Sequence, residues 1–178
     1  MQRLILLSAT VLLAAICYIT PVESQFCNSL DRYHSFVCPS GHAISNVYGY
    51  HDDGKEDRVY CYNCENTQGS GSSCYRTGYV NHYDCPVAVL CKPNHFFAGV
   101  RSVHSNDKED RRFDFQCCSS GGKCTTNNCK LVGPVNDFDG YMSYRPNAGK
   151  VIVGAFSWHR SSKEDRQWWY QECELQDC

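Results

Sequence analysis

The chain has 178 residues, of which 14 are cysteine, and its formal net charge at pH 7 is −2. Because its charges nearly cancel and form no block of one sign, the composition excludes a polybasic surface for nucleic acid or for membranes. So many cysteines are typical of a disulfide framework in an oxidising compartment, not of thiol chemistry.

The first element in chain order is a predicted secretory signal peptide over residues 1–24. Arg3 precedes an apolar run that ends at Cys17, and we expect cleavage after Ser24. The run is too short for a membrane helix, and no second apolar stretch of spanning length follows. We therefore expect a secreted protein of the extracellular space or matrix, with no membrane insertion and a single domain over residues 25–178.

That domain is predicted to be a triplication. The tetrapeptide Lys-Glu-Asp-Arg occurs three times at nearly equal spacing, over 55–58, 108–111 and 163–166. A histidine stands four positions before each copy, and an aspartate stands further upstream at the same distance from all three. Aromatic residues follow each arginine at the second and fourth positions, and a cysteine closes each unit, at Cys64, Cys117 and Cys173. The repeats are expected at about 28–66, 81–118 and 136–173.

Each repeat reads as short strands separated by turns. In the first repeat, runs over 33–38, 43–50 and 58–64 have strand character, and no segment shows a sustained helical period. The polar, low-complexity stretches 67–73 and 119–122 are predicted to be surface loops. We therefore expect a single disulfide-rich all-β domain with pseudo-threefold symmetry, of the trefoil or prism kind.

Equal spacing predicts two equivalent disulfides. Cys38 is separated from Cys64 by the same length of chain that separates Cys91 from Cys117. In the third repeat Pro146 stands where the upstream cysteine is expected, so that Cys173 needs another partner. The sequence leaves that pairing open among the remaining cysteines, which are Cys27, Cys61, Cys74, Cys85, Cys118, Cys124, Cys129 and Cys178.

An odd number of cysteines remains once the predicted signal peptide is removed, and this leaves one thiol over. The cysteines outside the common repeat, Cys27, Cys61 and Cys85, are the candidates for a free thiol or for an intermolecular bridge that would link a homo-oligomer. The pair Cys61 and Cys64 also has the spacing of zinc ligands. The oxidising compartment favours disulfides there, and we expect no metal and no cofactor.

The repeated charged motif has two interpretations. Under the structural one, the aspartate closes a turn and the arginine pairs with an aspartate of its own or the next repeat. Replacement of Asp165 is then expected to destabilise the protein by leaving Arg166 without its partner. Under the binding one, three equivalent sugar pockets are formed by His51, Glu56, Asp57, Arg58, His104, Glu109, Asp110, Arg111, His159, Glu164, Asp165, Arg166 and Trp168.

Two other functions are disfavoured. The acidic residues between Asp52 and Asp57 suggest a calcium loop, but the other two repeats lack them, which favours a solvated turn. An enzyme seldom needs its general base in triplicate, and the sequence has no nucleophile elbow, zincin motif or phosphate loop. We therefore expect no catalytic residues.

The motif resembles the signature of the dermatopontin family. Residues 165–170 match its Asp-Arg-Gln/Glu-Trp-x-aromatic pattern, and residues 110–115 and 57–62 are variants of it. The adjacent pair Cys117-Cys118, with the cysteines that follow it, is also similar to the family. The resemblance covers about residues 28–178, and the short segment before the first repeat is similar to the agglutinins and amebocyte aggregation factors of invertebrates.

This resemblance implies a secreted, non-enzymatic protein of the extracellular matrix and of cell adhesion. The expected partners are proteoglycans or glycosaminoglycans, collagen, or cell-surface glycans. The alternative is a multivalent lectin that agglutinates cells in aggregation or innate defence, because three copies of a weak site would add through effective concentration.

Overall fold

A computed structural model describes residues 26–178 of the chain, and the predicted signal peptide lies outside this part. The described residues form twelve strands and no helix, so none of their segments is a helix that could cross a membrane. The strands are β1 Phe26–Cys27, β2 His34–Val37, β3 His42–Asp52, β4 Asp57–Asn66, β5 Ser70–Tyr79, β6 Val87–Leu90, β7 Phe96–Ser105, β8 Asp110–Gly121, β9 Lys123–Val132, β10 Met142–Tyr144, β11 Lys150–Arg160 and β12 Asp165–Asp177.

The strands form three four-stranded sheets that share one plan. Their orders are β1-β4-β3-β10 in sheet 1, β5-β8-β7-β2 in sheet 2 and β9-β12-β11-β6 in sheet 3. The centre of each sheet is a long hairpin whose turn carries the repeated motif. One edge strand of each hairpin comes from the preceding repeat, and β10 of the last repeat returns to the first hairpin. The repeats therefore exchange strands in a closed cycle, which is a prism-like arrangement of the predicted all-β fold.

The three hairpins also have equivalent registers. Each contains one irregularity near its base, between Ile44 and Asn46, Phe97 and Gly99, or Ile152 and Gly154. Such an irregularity bends and twists a strand, and it recurs at the same place in all three hairpins. The register supports the triplication that the sequence predicts.

The main core lies between the three sheets. Tyr60, Phe113 and Trp168, which occupy the same repeat position, meet there edge to face with ring centroids 4.9 to 5.9 Å apart. Residues two apart on a strand point to the same face of the sheet. The aromatic residue two positions after each member of the trio therefore packs in the same core. Edge-to-face contacts of this kind favour one fixed packing of the core.

The predicted surface loops are partly strands. Ser70 begins the edge strand β5, and the central strand β8 extends to Gly121, so the stretches 67–73 and 119–122 lie mostly in strands. Their composition favours turns, but the bridge between Cys74 and Cys118 joins directly paired positions of the two strands. Tertiary pairing overrides local preference here, as is common for edge strands.

Six disulfides join the described cysteines. Cys38–Cys64 and Cys91–Cys117, the two pairs of equal spacing, are bonded. The other bridges are Cys27–Cys61, Cys74–Cys118, Cys124–Cys178 and Cys129–Cys173. Cys85 is the free cysteine of the described chain, and it is exposed.

The structure corrects the repeat position of Cys173. The register pairs Ile44 with Cys64, Phe97 with Cys117 and Ile152 with Glu172, so Glu172 is the equivalent of the bridging cysteine. Cys173 matches Cys118 instead, which is why its bridge to Cys129 has the same sequence separation as the bridge from Cys118 to Cys74. The sequence assignment was wrong by one position, because any cysteine near the unit's end satisfied the pattern.

A hydrogen-bonded carboxylate takes the place of the third bridge. Glu172 is fully buried and accepts hydrogen bonds from the Tyr144 hydroxyl at 3.0 Å and the Asn147 side-chain amide at 2.6 Å. The backbone N–H of Asn147 donates to it at 3.1 Å, and the Lys150 ammonium lies 3.3 Å away. Burial disfavours the charge of Glu172, but these donors outweigh it and hold its pKa below the ordinary value.

Candidate functional site

The repeated motifs meet in a closed ring of three ion pairs. Each motif forms the turn of one hairpin and the first residues of its second strand, so Asp and Arg enter the interior side by side. The arginine of one repeat donates two hydrogen bonds to the aspartate of another, at 2.6 to 2.9 Å, in the pairs Arg58–Asp165, Arg111–Asp57 and Arg166–Asp110.

The ring is buried. Its six side chains are 1 to 2 % exposed. Bidentate pairing matches the guanidinium fork to the carboxylate and makes these strong, directional bonds. Burial lowers the pKa of Arg58, but its bonds to Asp165 and the charge of that carboxylate outweigh this effect and raise the pKa above its ordinary value. The predicted partner of Asp165 is corrected: it is Arg58 of the first repeat, not Arg166.

Backbone groups complete the ring. Each aspartate of the ring accepts the backbone N–H of the aspartate that precedes its motif in sequence, Asp31, Asp84 or Asp139, at 2.8 to 3.0 Å. Those three residues have φ near +60°, a left-handed conformation that turns the loop toward the ring. The loop and the hairpin of each repeat are therefore joined at the ring.

Sequence reasoning missed a second set of buried residues. Asn28, Asn81 and Asn136 each donate to the backbone carbonyl of a ring arginine and accept from the N–H two residues beyond it. They pair the loop with the hairpin as a strand would. Their signal was present in the sequence, because they recur at the same spacing along the chain as the motif itself.

The three predicted histidines lie just outside the ring, and their side chains are also buried. The His51 ring contacts Asp53 at 3.1 Å, and His104 contacts Asn106 at 3.2 Å. His159 lies 3.5 Å from Asp84 and 3.5 Å from Glu164. Each imidazole side chain is at most 1 % exposed, so none is available to a ligand from solvent in this conformation.

The glutamates of the motif remain partly open to solvent. Glu56, Glu109 and Glu164 surround the pseudo-threefold axis and are 32 to 41 % exposed. Burial and the neighbouring glutamates raise the pKa of Glu164, although His159 opposes this. The space that the three motifs enclose is about 10 Å³, which is room for about one water molecule. No sugar fits there.

Three side-chain groups resemble metal ligands: Asp31, Asp57 and His104; Asp84, Asp110 and His159; His51, Asp53 and Asp139. In the first two groups, one aspartate already accepts two bonds from an arginine of the ring. A cation bound there would lie against a buried guanidinium and compete for the same oxygens. The donor sets of these two groups therefore do not favour a metal ion.

The predicted site residues are thus brought together, but around a buried ring of ion pairs and not around an open pocket. Trp168, also assigned to the binding interpretation, is 1 % exposed and belongs to the core trio. The geometry favours the structural interpretation of the motif.

The outward faces of the three sheets carry exposed aromatic side chains that sequence reasoning did not single out. Sheet 1 presents Tyr50 and Tyr141, sheet 2 presents Tyr79, and sheet 3 presents Trp158; they are 44 to 84 % exposed. The signal was weak, because the sequence does not say which face of a strand is buried.

Comparison with known proteins identifies the chain's relatives. The family model of Dermatopontin matches residues 28–178. The chain is 36% identical over 152 residues to the hemagglutinin/amebocyte aggregation factor of Limulus polyphemus, a match that covers 85% of this chain and 88% of that protein. It is 38% identical over 138 residues to dermatopontin of Biomphalaria glabrata, with 78% and 92% covered.

A more distant relative is Millepora cytotoxin-1 of Millepora dichotoma, which is 28% identical over 149 residues, with 84% of this chain and 66% of that protein covered. No solved structure has significant similarity to the chain.

Proposed function

Because the chain belongs to the dermatopontin family, we propose that it is a secreted, non-enzymatic adhesion protein of the extracellular matrix. Its proposed partners are proteoglycans or glycosaminoglycans, collagen, or cell-surface glycans. Six disulfides support secretion, since such bridges persist in oxidising compartments. The dermatopontin relative from Biomphalaria supports the matrix role.

The observation that carries this proposal is the closed ring of ion pairs. The ring pairs the aspartate and the arginine of each motif inside the molecule, so these six side chains are not available for chemistry with solvent. It also fixes the directions of the three outward sheet faces. A rigid body with several faces suits a protein that joins other macromolecules.

The second candidate is a multivalent lectin that agglutinates cells. The Limulus relative is named a hemagglutinin and amebocyte aggregation factor, and it matches most of this chain. Aromatic side chains on each outward face supply surfaces on which a sugar ring can stack. Several weak contacts on one rigid body add through effective concentration.

Aggregation of red cells by the purified mature protein tests both candidates. Competing neutral sugars and heparin are added, and binding to immobilised collagen and proteoglycan is measured in parallel. Aggregation that a neutral sugar blocks supports the lectin. Capture by collagen or proteoglycan without aggregation supports the matrix protein. A folded protein that does neither contradicts both candidates.

A further inference from the structure

Sheet 1 has a groove on its outward face. The groove has a volume of about 880 Å³ and runs between the loop before β10, strand β3 and the residues that follow β1. Tyr50 and Tyr141 stand at its rim with ring centroids 6.4 Å apart and planes inclined by 57°. They are 44 % and 84 % exposed, so part of each ring is open to a ligand.

The lining of the groove carries no charge. It consists of amide, hydroxyl and apolar groups, among them Asn46 and Ser143 beside the two tyrosines, and none of its described residues is acidic or basic. A charged ligand would leave water without a counterion there, which is costly. A ligand with many hydroxyls and no charge would keep hydrogen bonds to such a lining and cover the tyrosine faces with its C–H groups.

The other two sheets do not reproduce this chemistry. In sheet 2, Arg101 and Arg112 stand at the register positions of Tyr48 and Val59, and the Arg112 guanidinium lies 4.5 Å from the ring of Tyr79. In sheet 3, Trp158 packs edge to face on Trp169, with centroids 5.2 Å apart. The scaffold is threefold, but its outward faces have diverged.

The ion-pair ring holds the rim of the groove in place. Arg58 donates a hydrogen bond of 2.8 Å to the carbonyl of Gly140, the residue before Tyr141. The backbone N–H of Asp139 bonds to Asp165 of the ring at 2.9 Å, and Met142 pairs with Gly49 in the sheet. The tyrosine platform is therefore ordered before a ligand arrives, which reduces the entropic cost of binding.

We propose that this tyrosine-rimmed groove of sheet 1 binds an uncharged sugar unit of an extracellular glycan. The proposal rests on the proposed adhesive function and gives it a site. Tyr50 and Tyr141 stack on the sugar ring, and the amide and hydroxyl groups of the floor bond its hydroxyls. Because the lining is neutral, binding depends little on salt concentration.

A panel of uncharged methyl glycosides of hexoses and N-acetylhexosamines tests the proposal by ligand-observed NMR and by titration of the folded protein. The variants are Tyr141→Ala and Tyr50→Ala. The control is Tyr33→Ala, because Tyr33 stands at the repeat position of Tyr141 but lies before β2 at sheet 2 and is also exposed, at 58 %.

We expect at least one glycoside to bind, about tenfold weakening in each groove variant and no change in the control. Retained binding in both folded groove variants would overturn the proposal, as would the absence of any glycoside that binds the unmodified protein. Loss of collagen capture in the groove variants without sugar binding would assign the groove to a protein partner. Cell aggregation that persists in both variants would reject the groove as the adhesive site, and the proposed adhesive function would be retained.

Discussion

At the scale of single residues, the side chains that recur most regularly in the three repeats are also among the most buried. The aspartates and arginines of the three motifs recur because each must pair with a member of another repeat in a site buried from solvent. An unpaired charge in such a site costs several kcal/mol, roughly, so a change in one repeat disturbs its neighbour. Repetition therefore marks an internal constraint here, and the exposed aromatics, which are free of that constraint, differ between sheets.

Replacement of Asp165 tests this constraint. In Asp165→Ala, Arg58 keeps its burial but loses both carboxylate bonds, and we expect a loss of about 3–5 kcal/mol in unfolding free energy. Chemical denaturation measures it. The exposed Asp107→Ala is the control, expected to stay within about 0.5 kcal/mol of the parent. Equal stability of the two variants would contradict a stabilising role of the ion-pair ring.

A buried histidine at the edge of the core predicts a pH dependence. Burial and the charge of Arg111 lower the pKa of His34 from 6.5 to about 4. Between these values the unfolded chain binds a proton that the folded chain does not, so stability falls as the pH decreases through this interval and is full above it.

Thermal unfolding as a function of pH, with His34→Phe beside the parent, measures this effect. The phenylalanine keeps the stacking on Tyr62, whose ring centroid is 5.9 Å away, and removes the titrating group. We expect a flatter pH profile for the variant between pH 6.5 and about 4. Profiles of the same slope would contradict the role of His34.

At the scale of elements, the three hairpins are equivalent, but their bases are fastened in two ways. Disulfides fasten the first two, and the Glu172 network fastens the third. A disulfide stabilises the fold mainly by constraining the unfolded chain. A buried carboxylate depends instead on hydrogen-bond donors that stay in place in the folded protein. The fastening at the base of the third hairpin therefore responds to acid, whereas the disulfides at the other two bases do not.

The variant Glu172→Gln tests the network. Hydrogen bonds to a charged group are worth about 1.5–3 kcal/mol, and we expect a loss of that order at neutral pH. Because the folded pKa of Glu172 lies below the ordinary value of 4.5, its contribution is present above that pH and is lost as the pH falls through the lowered pKa. The parent and the variant should then converge.

Denaturation at neutral and acidic pH measures the difference. Glu174→Gln is the control, since the carboxylate of Glu174 meets Asn128 at the surface of the same strand. A gap between parent and Glu172→Gln that stays constant down to strongly acidic pH would contradict the proposed role of the charge.

At the scale of the whole molecule, strand exchange makes the three repeats one folding unit. Each sheet contains an edge strand from the preceding repeat, and β10 closes the cycle on β3. The ion pairs join the same repeats in the same cyclic manner. No repeat can bury its hairpin without another, so we expect cooperative unfolding of the disulfide-bonded protein.

Two spectroscopic probes test this cooperativity. All three tryptophans lie in the third repeat, so their fluorescence reports on that repeat, whereas far-ultraviolet circular dichroism reports on all three sheets. Coincident transitions are expected from both probes in denaturant. A fluorescence transition at a separate midpoint would show that the third repeat unfolds by itself, contrary to the cyclic exchange.

The sequence by itself determined the class of fold and the family, and it predicted the triplication. Periodicity two along the strands, the regular spacing of the three motifs and the residues around Asp165 are local patterns, readable without coordinates. The equal spacing of Cys38–Cys64 and Cys91–Cys117 belongs to the same class of signal, because repeats carry equivalent residues at equivalent places.

Only the tertiary structure decided which repeat each strand and each arginine joins. Asp165 pairs with Arg58 of the first repeat, and Cys173 forms its disulfide with Cys129, which lies outside its own repeat. Such partners depend on how the three repeats pack into a closed cycle. The sequence does not determine them, because equivalent repeats offer the same residue types as possible partners. For the same reason, the face of each strand that became core was fixed by packing. Packing buried the aspartates, the arginines and Trp168 of the predicted binding set and left Tyr50, Tyr141 and Trp158 facing solvent.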